Sequence, residues 1–436
     1  MHPLNRRDLL KLSLAASTGA TIVSCGQFAV SDEKALPPVG RAPADVTARL
    51  TTLRGRRRHL GPPSPQLITV FERIPRPVLV YELSQIEENY LSFLEARKDV
   101  AIHYAIKACP EPRILQRIAA LGGGFDVASR AEVNLALDTG VSPDKCIYSN
   151  TVKFPADIRD AFERGVVAFV ADAEHEVRKL AKFAPGSKLY VRLLVDNKEA
   201  AHPLGEKFGT TPENAKSLLK LGAQLGLEPY GTHFHVGTQC YNAKAWEAPA
   251  RRAAGIFRDL RNEGIDLKLF DIGGGYPAPY LGRSIPTVKE ILATVDRILQ
   301  EELPGRPVIV AVEPGRGIVA TAGAMSSRLM LRAPRAEGEW LHLDVGIYHG
   351  LNEAEDGIVY PITVAHRSGA QVPFTLCGPT CDSADTICKG QKLPNSVAEG
   401  DLFVFDVAGA YSECTFTHFN GIEPPIVHFL DELLDL

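Results

Sequence analysis

IHYAIK, residues 102–107, is a short apolar run that ends on a lysine-bearing turn of sequence. Seven more runs of this kind follow: GFDVAS (124–129), KCIYSN (145–150), VAFVAD (167–172), LYVRLLV (189–195), GTHFHVG (231–237), LFDIGGG (269–275) and VIVAVEPG (308–315). Amphipathic stretches such as PRILQRIAALG and AWEAPARRAAGIFRDLRNEG separate them. Strands that alternate with helices pair in parallel, and eight such units predict an α/β fold, a closed (β/α)8 TIM barrel. Nearly every run carries its unusual residue toward its C-terminal end: Lys107, Asp126, Asn150, Asp172, Arg192, His235, the glycines 273–275 and Glu313. In a barrel these ends converge on the face that carries active sites. A single buried His or Asp is more often a satisfied core group, but the same placement in so many runs marks a site.

After about residue 326 the helical pattern fades. WLHLDVG, VYPITVA, VPFTLCG and GDLFVFDVAG alternate apolar and polar residues with Gly and Pro between them, which predicts a C-terminal, mostly antiparallel β domain. The strand-like PRPVLVYEL (75–83) precedes the barrel and is expected to cross over and join that domain. The expected organisation is a signal over 1–26, a linker over 27–65, an N-terminal strand segment over 66–85, the barrel over 86–325 and the β domain over 326–436.

The chain has 436 residues, too many for one ordinary core. Its 45% hydrophobic and 23% charged content is that of a soluble globular enzyme. A formal net charge of -4 gives no sign of nucleic-acid binding. Eight scattered cysteines with no CxxC argue against a disulfide scaffold or a structural zinc site, and no metal is expected.

The N-terminus reads MHPLNRRDLLKLSLAASTGATIVSCG. Arg6-Arg7, followed by leucines and a modestly apolar run, resembles a twin-arginine export signal. Ile22-Val23-Ser24-Cys25 resembles a lipobox, which would make Cys25 a lipid anchor. The expected location is the periplasm or cell envelope, with a cytoplasmic protein bearing a basic tail as the alternative. The run from Arg54 to His59 reads as a solvated part of the linker.

DIGGGYP (271–277) places three glycines after a strand, where backbone N–H groups can approach an oxyanion closely. A tight turn would need glycine too. EPGR (313–316) puts a carboxylate and a guanidinium beside that cradle. Lys107 is either a snorkelling surface residue or a functional amine.

YAIKA, FDVASRAE, VRLLVD, HFHVGTQ, DIGGGYP, EPGR, CGPTCDSAD, GAY and FNG occur in this order between about residues 75 and 425. Together they resemble the ornithine/lysine/diaminopimelate decarboxylases, a family of pyridoxal-phosphate enzymes with a barrel and a β domain. The Cys-Asp pair in CGPTCDSAD is most similar to the shorter bacterial ornithine/lysine branch. The resemblance implies that Lys107 holds the cofactor as a Schiff base, that Glu313 pairs with the pyridine nitrogen and that His235 stacks on the ring. It places Gly273, Gly274, Gly275, Gly315, Arg316, Tyr411 and Thr238 around the phosphate, with Asp126, Arg192 and Glu132 near the ring. It implies a homodimer with shared active sites, in which Cys381 protonates the carbon left after CO2 departs. Asp382 would bind the distal ammonium of a basic amino acid, and Tyr360 would lie by the substrate.

The implied reaction is decarboxylation of L-ornithine to putrescine, or of L-lysine to cadaverine. Diaminopimelate decarboxylation, or an inactive regulatory relative, are the alternatives. Two departures stand out. Tyr360-Pro361 replaces the family's Tyr-Asp, and Glu353, Glu355 and Asp356 nearby either substitute for the missing carboxylate or form a solvated acidic turn. Cys109 stands where Asn is usual after the Schiff-base lysine. Cys377 is expected to pack within a strand, and Cys146, Cys240, Cys388 and Cys414 to be buried small hydrophobes.

Overall fold

The computed structural model describes residues 63–434 apart from 197, 203, 205 and 206. The signal-like segment, Cys25 and Arg54 to His59 lie outside the described residues. After α1 (Pro65–Arg73) and β1 (Val78–Tyr81), eight parallel strands close into a barrel. They are β2 (Ala101–Ala105), β3 (Gly124–Val127), β4 (Cys146–Tyr148), β5 (Ala168–Ala171), β6 (Lys188–Leu193), β8 (Glu228–Phe234), β10 (Leu269–Asp271) and β11 (Ile309–Val312). Closure comes where β11 pairs β2, with Ala311 opposite Ala101 and Val312 opposite Ile102. Each of the eight apolar runs in the sequence supplies one of these strands. Two short strands outside the barrel, β7 (Ala200–His202) and β9 (Thr238–Cys240), pair antiparallel with each other.

Strand residues alternate between two packed faces. Ile147, Ala168, Val170, Tyr190, Tyr230 and Leu269 belong to a separate cluster with the inward spacing that fills a barrel. Their chain neighbours Cys146, Tyr148, Phe169, Ala171 and Val191 pack into the main core with residues of the surrounding helices. Both faces are buried, so these strands read as nearly unbroken apolar runs.

From β11 the chain passes through a short helical turn into β12 (Gly323–Arg335), which starts the second domain slightly before the expected residue 326. The main path of its sheet runs β14 (Ile362–Val364), β17 (Leu402–Phe405), β12, β13 (Gly338–Leu343), β15 (Gln371–Cys377), β16 (Thr386–Pro394). Pairing is mostly antiparallel, with β13–β15 parallel. As expected, β1 crosses over: it pairs β12 antiparallel and the C-terminal β18 (Ile426–Phe429) in parallel.

The stretch after residue 64 differs from the expected linker and strand, because Pro65–Arg73 is helical. Ser64 caps it, accepting a hydrogen bond from the Leu67 amide at 3.2 Å, and Pro65 occupies the first turn. Leu67, Val70 and Phe71 follow helical spacing and pack with Val78, Val80 and Val404.

At the start of the second domain two backbones nearly touch. A Cβ on Gly323 would lie 2.3 Å from Gly409 Cα and 2.6 Å from its nitrogen. Gly409 is itself hydrogen-bonded, its N–H to Ala320 O at 3.0 Å and its carbonyl to the Tyr81 hydroxyl at 3.1 Å. Gly323→Ala is therefore expected to cost roughly 1–3 kcal/mol through overpacking. Denaturant unfolding checks this, and an unchanged midpoint would contradict it.

Candidate active site

The barrel ends place the expected residues at one mouth. β2 stops at Ala105 and a single turn, Ile106–Ala108, carries Lys107 outward. The Lys107 side chain is 43% exposed and opens into a cavity. Its Nζ donates to Asp126 Oδ2 at 2.9 Å, and that carboxylate is 1% exposed. Asp126 Oδ1 accepts from the Ser149 hydroxyl. Burial alone would lower the lysine pKa, but the Asp126 carboxylate, then Tyr411 and Glu313, raise it above its ordinary value.

Opposite lies Glu313, just past the end of β11, with Oε2 at 2.8 Å from His233 Nε2. Its amide donates to Gly273 O at 2.8 Å, which ties the EPGR segment to the triple-glycine turn. That turn requires glycine. Gly273 has φ +63° and a Cβ there would lie 1.9 Å from Phe234 O. A Cβ on Gly274 would lie 2.7 Å from His235 Nε2, and one on Gly275 2.6 Å from Gly237 O.

His235 Nδ1 accepts from the Gly237 amide at 2.9 Å, so in the neutral ring the proton sits on Nε2. Burial, then the charges of Arg192 and Lys107, push its pKa well below the ordinary value. The Arg192 guanidinium lies 5.0 Å over the Phe208 ring.

The β domain closes the other side. The Tyr411 amide donates to Ala108 O at 2.8 Å, and Tyr411 holds a left-handed backbone, φ 57°. The Arg316 guanidinium lies 4.9 Å over its ring. Arg316 is gripped by Glu353 through both terminal nitrogens, with Nη1 to Oε2 at 2.6 Å, and Nη1 also bonds the Tyr280 hydroxyl at 2.9 Å.

Lys107, His235, Thr238, Gly275, Glu313, Gly315, Arg316 and Tyr411 line the cavity together. Tyr360 does not. It is buried behind Tyr280, ring centroids 5.6 Å apart, and its hydroxyl has no partner. Cys381 and Asp382 lie outside their own chain's cavity. Cys381 is exposed, its amide bonded to Asn420 Oδ1 at 3.0 Å, and Asp382 accepts from the Tyr348 hydroxyl. Cys377 packs in β15, Sγ 3.2 Å from His342 Nδ1. Cys146 and Cys240 are buried, whereas Cys388 is partly exposed and Cys414 exposed. Glu355 and Asp356 are exposed, but Glu353 is buried.

Sequence reasoning assigned no role to Tyr276 and Gln239, which also line the cavity. Gln239 is locked by reciprocal hydrogen bonds to Ala278, at 2.6 and 2.8 Å. Its place in the HFHVGTQ motif was the available signal.

The family described as pyridoxal-dependent decarboxylase, pyridoxal binding domain, matches residues 83–320. The chain is 33% identical to the lysine/ornithine decarboxylase of Selenomonas ruminantium over 366 residues, 84% of this chain and 92% of the relative. It is 30% identical to the ornithine decarboxylase of Saccharomyces cerevisiae, covering 82% and 81%. The Vibrio vulnificus lysine/ornithine decarboxylase complexed with cadaverine superposes with TM-score 0.77 at 31% identity, covering 83% and 97%. The chain belongs to the pyridoxal-dependent decarboxylase family. Its cofactor is pyridoxal phosphate, and the mouth fits that group: the Lys107 amine opens into the cavity that Glu313, Gly275, Gly315 and Arg316 also line, and Arg316 Nε has no partner.

Only the neutral amine attacks an aldehyde, and below its pKa the neutral fraction of Lys107 grows about tenfold per pH unit. The rate at which unloaded protein takes up pyridoxal phosphate covalently, read by borohydride trapping and mass spectrometry, is expected to rise accordingly. Asp126→Asn removes the largest influence that raises the pKa, so its profile should move to lower pH. Identical profiles would refute this reading of the pair.

Proposed function

We propose that this chain decarboxylates a basic L-amino acid, L-ornithine to putrescine or L-lysine to cadaverine, at a site shared between two subunits. The observation that carries this is the pairing of an open Lys107 amine with buried Asp126, across one cavity from the Glu313 carboxylate. Pyridoxal phosphate, when bound, accepts the electron pair that the departing carboxylate leaves behind. Lys107 would hold the cofactor covalently and yield to the substrate amine, while Asp126 fixes and charges it. Glu313 would keep the proton on the ring nitrogen. Neutral His235 would cover one ring face without adding charge. The glycine turn, Gly315, Thr238, Arg316 and Tyr411 would hold the phosphate, and Arg192 would lie by the ring.

The shared site is supported by a prepared but unused surface. Tyr348 stacks on Phe419 at 4.6 Å and holds Asp382, while Asn420 holds Cys381, all outside their own chain's cavity. Val152 and Phe154, on the loop after β4, are 66% and 75% exposed. A second copy covering these residues would bring Cys381 to the neighbouring mouth as proton donor and Asp382 as acceptor for the distal ammonium.

Carbon dioxide release over ornithine, lysine, arginine and diaminopimelate tests the substrate class. Ornithine or lysine should be preferred, and release from diaminopimelate alone would overturn the proposal. Lys107→Ala and Cys381→Ala should each abolish diamine formation. Mixed in equal amounts, the two variants should recover roughly a quarter of wild-type activity, since half the dimers then carry one complete site. No recovery on subunit exchange would contradict sharing.

The twin-arginine-like start supports a further proposal, that the loaded enzyme is exported to the envelope. Activity found wholly in the cytoplasm, on protein retaining residues 1–25, would overturn it.

A further inference from the structure

β8, β10 and β11 converge on one buried point. His233 and Asp271, from the first two, and Glu313, just past the third, are 1%, 0% and 3% exposed, with polar atoms within 4.8 Å of one another. The proposed function uses only Glu313. His233 Nε2 lies 2.8 Å from Glu313 Oε2. Asp271 Oδ1 accepts from the Gly273 amide at 2.8 Å, and its carboxyl lies in the same buried cluster as that of Glu313. The two carboxyl oxygens left without a donor are Asp271 Oδ2 and Glu313 Oε1. One proton shared between the carboxyls satisfies both.

The electrostatics agree. Burial, then the Glu313 charge, push Asp271 well above the usual carboxylate range, which favours its protonated form. Burial pushes Glu313 up as well, but His233, then Lys107 and His235, more than offset this and hold it low. The spacing resembles a metal site. Yet a tetrahedral ion with ligands at about 2.0–2.2 Å would separate its ligand atoms by about 3.3 Å, and 2.8 Å is a hydrogen-bond distance.

We infer that His233 and a protonated Asp271 are positioning residues that each donate a hydrogen bond to one oxygen of Glu313, fixing it as the anion that meets the cofactor's ring nitrogen. This rests on the proposed role of Glu313. A proton lying between a carboxylate and a ring nitrogen divides according to their relative affinities. Each donor aimed at the carboxylate weakens its hold and leaves the proton on nitrogen. Loss of either donor moves the proton toward Glu313. Lys107, His235, Arg192 and Asp126 also act on this point and are left in place.

The test is the ring-nitrogen 15N shift of [15N]pyridoxal phosphate bound to the full chain at saturation and neutral pH. His233→Leu and Asp271→Ala should each move the signal toward the unprotonated value. His233→Gln and Asp271→Asn, which keep a donor, should return most of the way. A purely structural role would lower the melting temperature without moving the nitrogen signal. Unchanged shifts in the loaded Leu and Ala variants overturn the inference, and if one of them fails to fold the other decides alone. Wild-type protein that does not load pyridoxal phosphate would instead sink the underlying function, a separately visible result.

Discussion

Charge held out of water at the barrel mouth is the constraint that organises this molecule. Lys107, Asp126, Arg192, His235, Glu313 and Arg316 meet there because eight parallel strands point their C-terminal ends at one place. Desolvating an ion costs several kcal/mol unless a partner compensates. Most of these charges accordingly have one. Asp126 holds Lys107 and Ser149, Glu313 holds His233, and Arg316 holds Glu353. His235 solves the problem differently, by staying neutral between two cations.

Those pairings also explain why the second domain exists where it does. The barrel alone would leave Arg316 without its carboxylate, since Glu353 comes from the segment after β13. It would also leave the Ala108 carbonyl without the Tyr411 amide. Domain docking and site assembly are therefore one event. The strained Tyr411 backbone is held by the same seam, which is where such strain is expected to serve a site.

The barrel was legible because its strands are buried on both faces, and eight compact apolar runs are hard to read otherwise. The polar ends of those runs located the site for the same reason. The β domain was less legible. β16, TICKGQKLP, is half exposed and carries two lysines, so its alternation is weak, and β18 is only four residues long. α1 was hidden by its Pro- and Arg-rich surroundings, although Ser64, Pro65 and the spacing of Leu67, Val70 and Phe71 were all present. Glu353 was open between a solvated turn and a functional carboxylate. Nothing local in LNEAEDG distinguishes it from Glu355, and only the position of Arg316 across the seam makes it the buried one.

The nine residues CGPTCDSAD illustrate how far a cysteine's surroundings govern its chemistry. Cys377 faces β13, whose His342 it pairs with in register, and burial pushes its thiol up to about 11. A thiol so raised is neither a ready metal ligand nor a nucleophile, and a bridge to Cys381 would pull it out of the sheet. Asp385 is equally committed. It accepts from the Ile347 amide at 2.8 Å and the Thr380 amide at 3.0 Å, and so shapes the loop rather than facing solvent. Cys381 and Asp382 are what this framing leaves presented outward, each steadied by one hydrogen bond from the FNG and Tyr348 side. A loop that projects a thiol and a carboxylate away from its own cavity is what the proposed sharing of a site between two subunits would require.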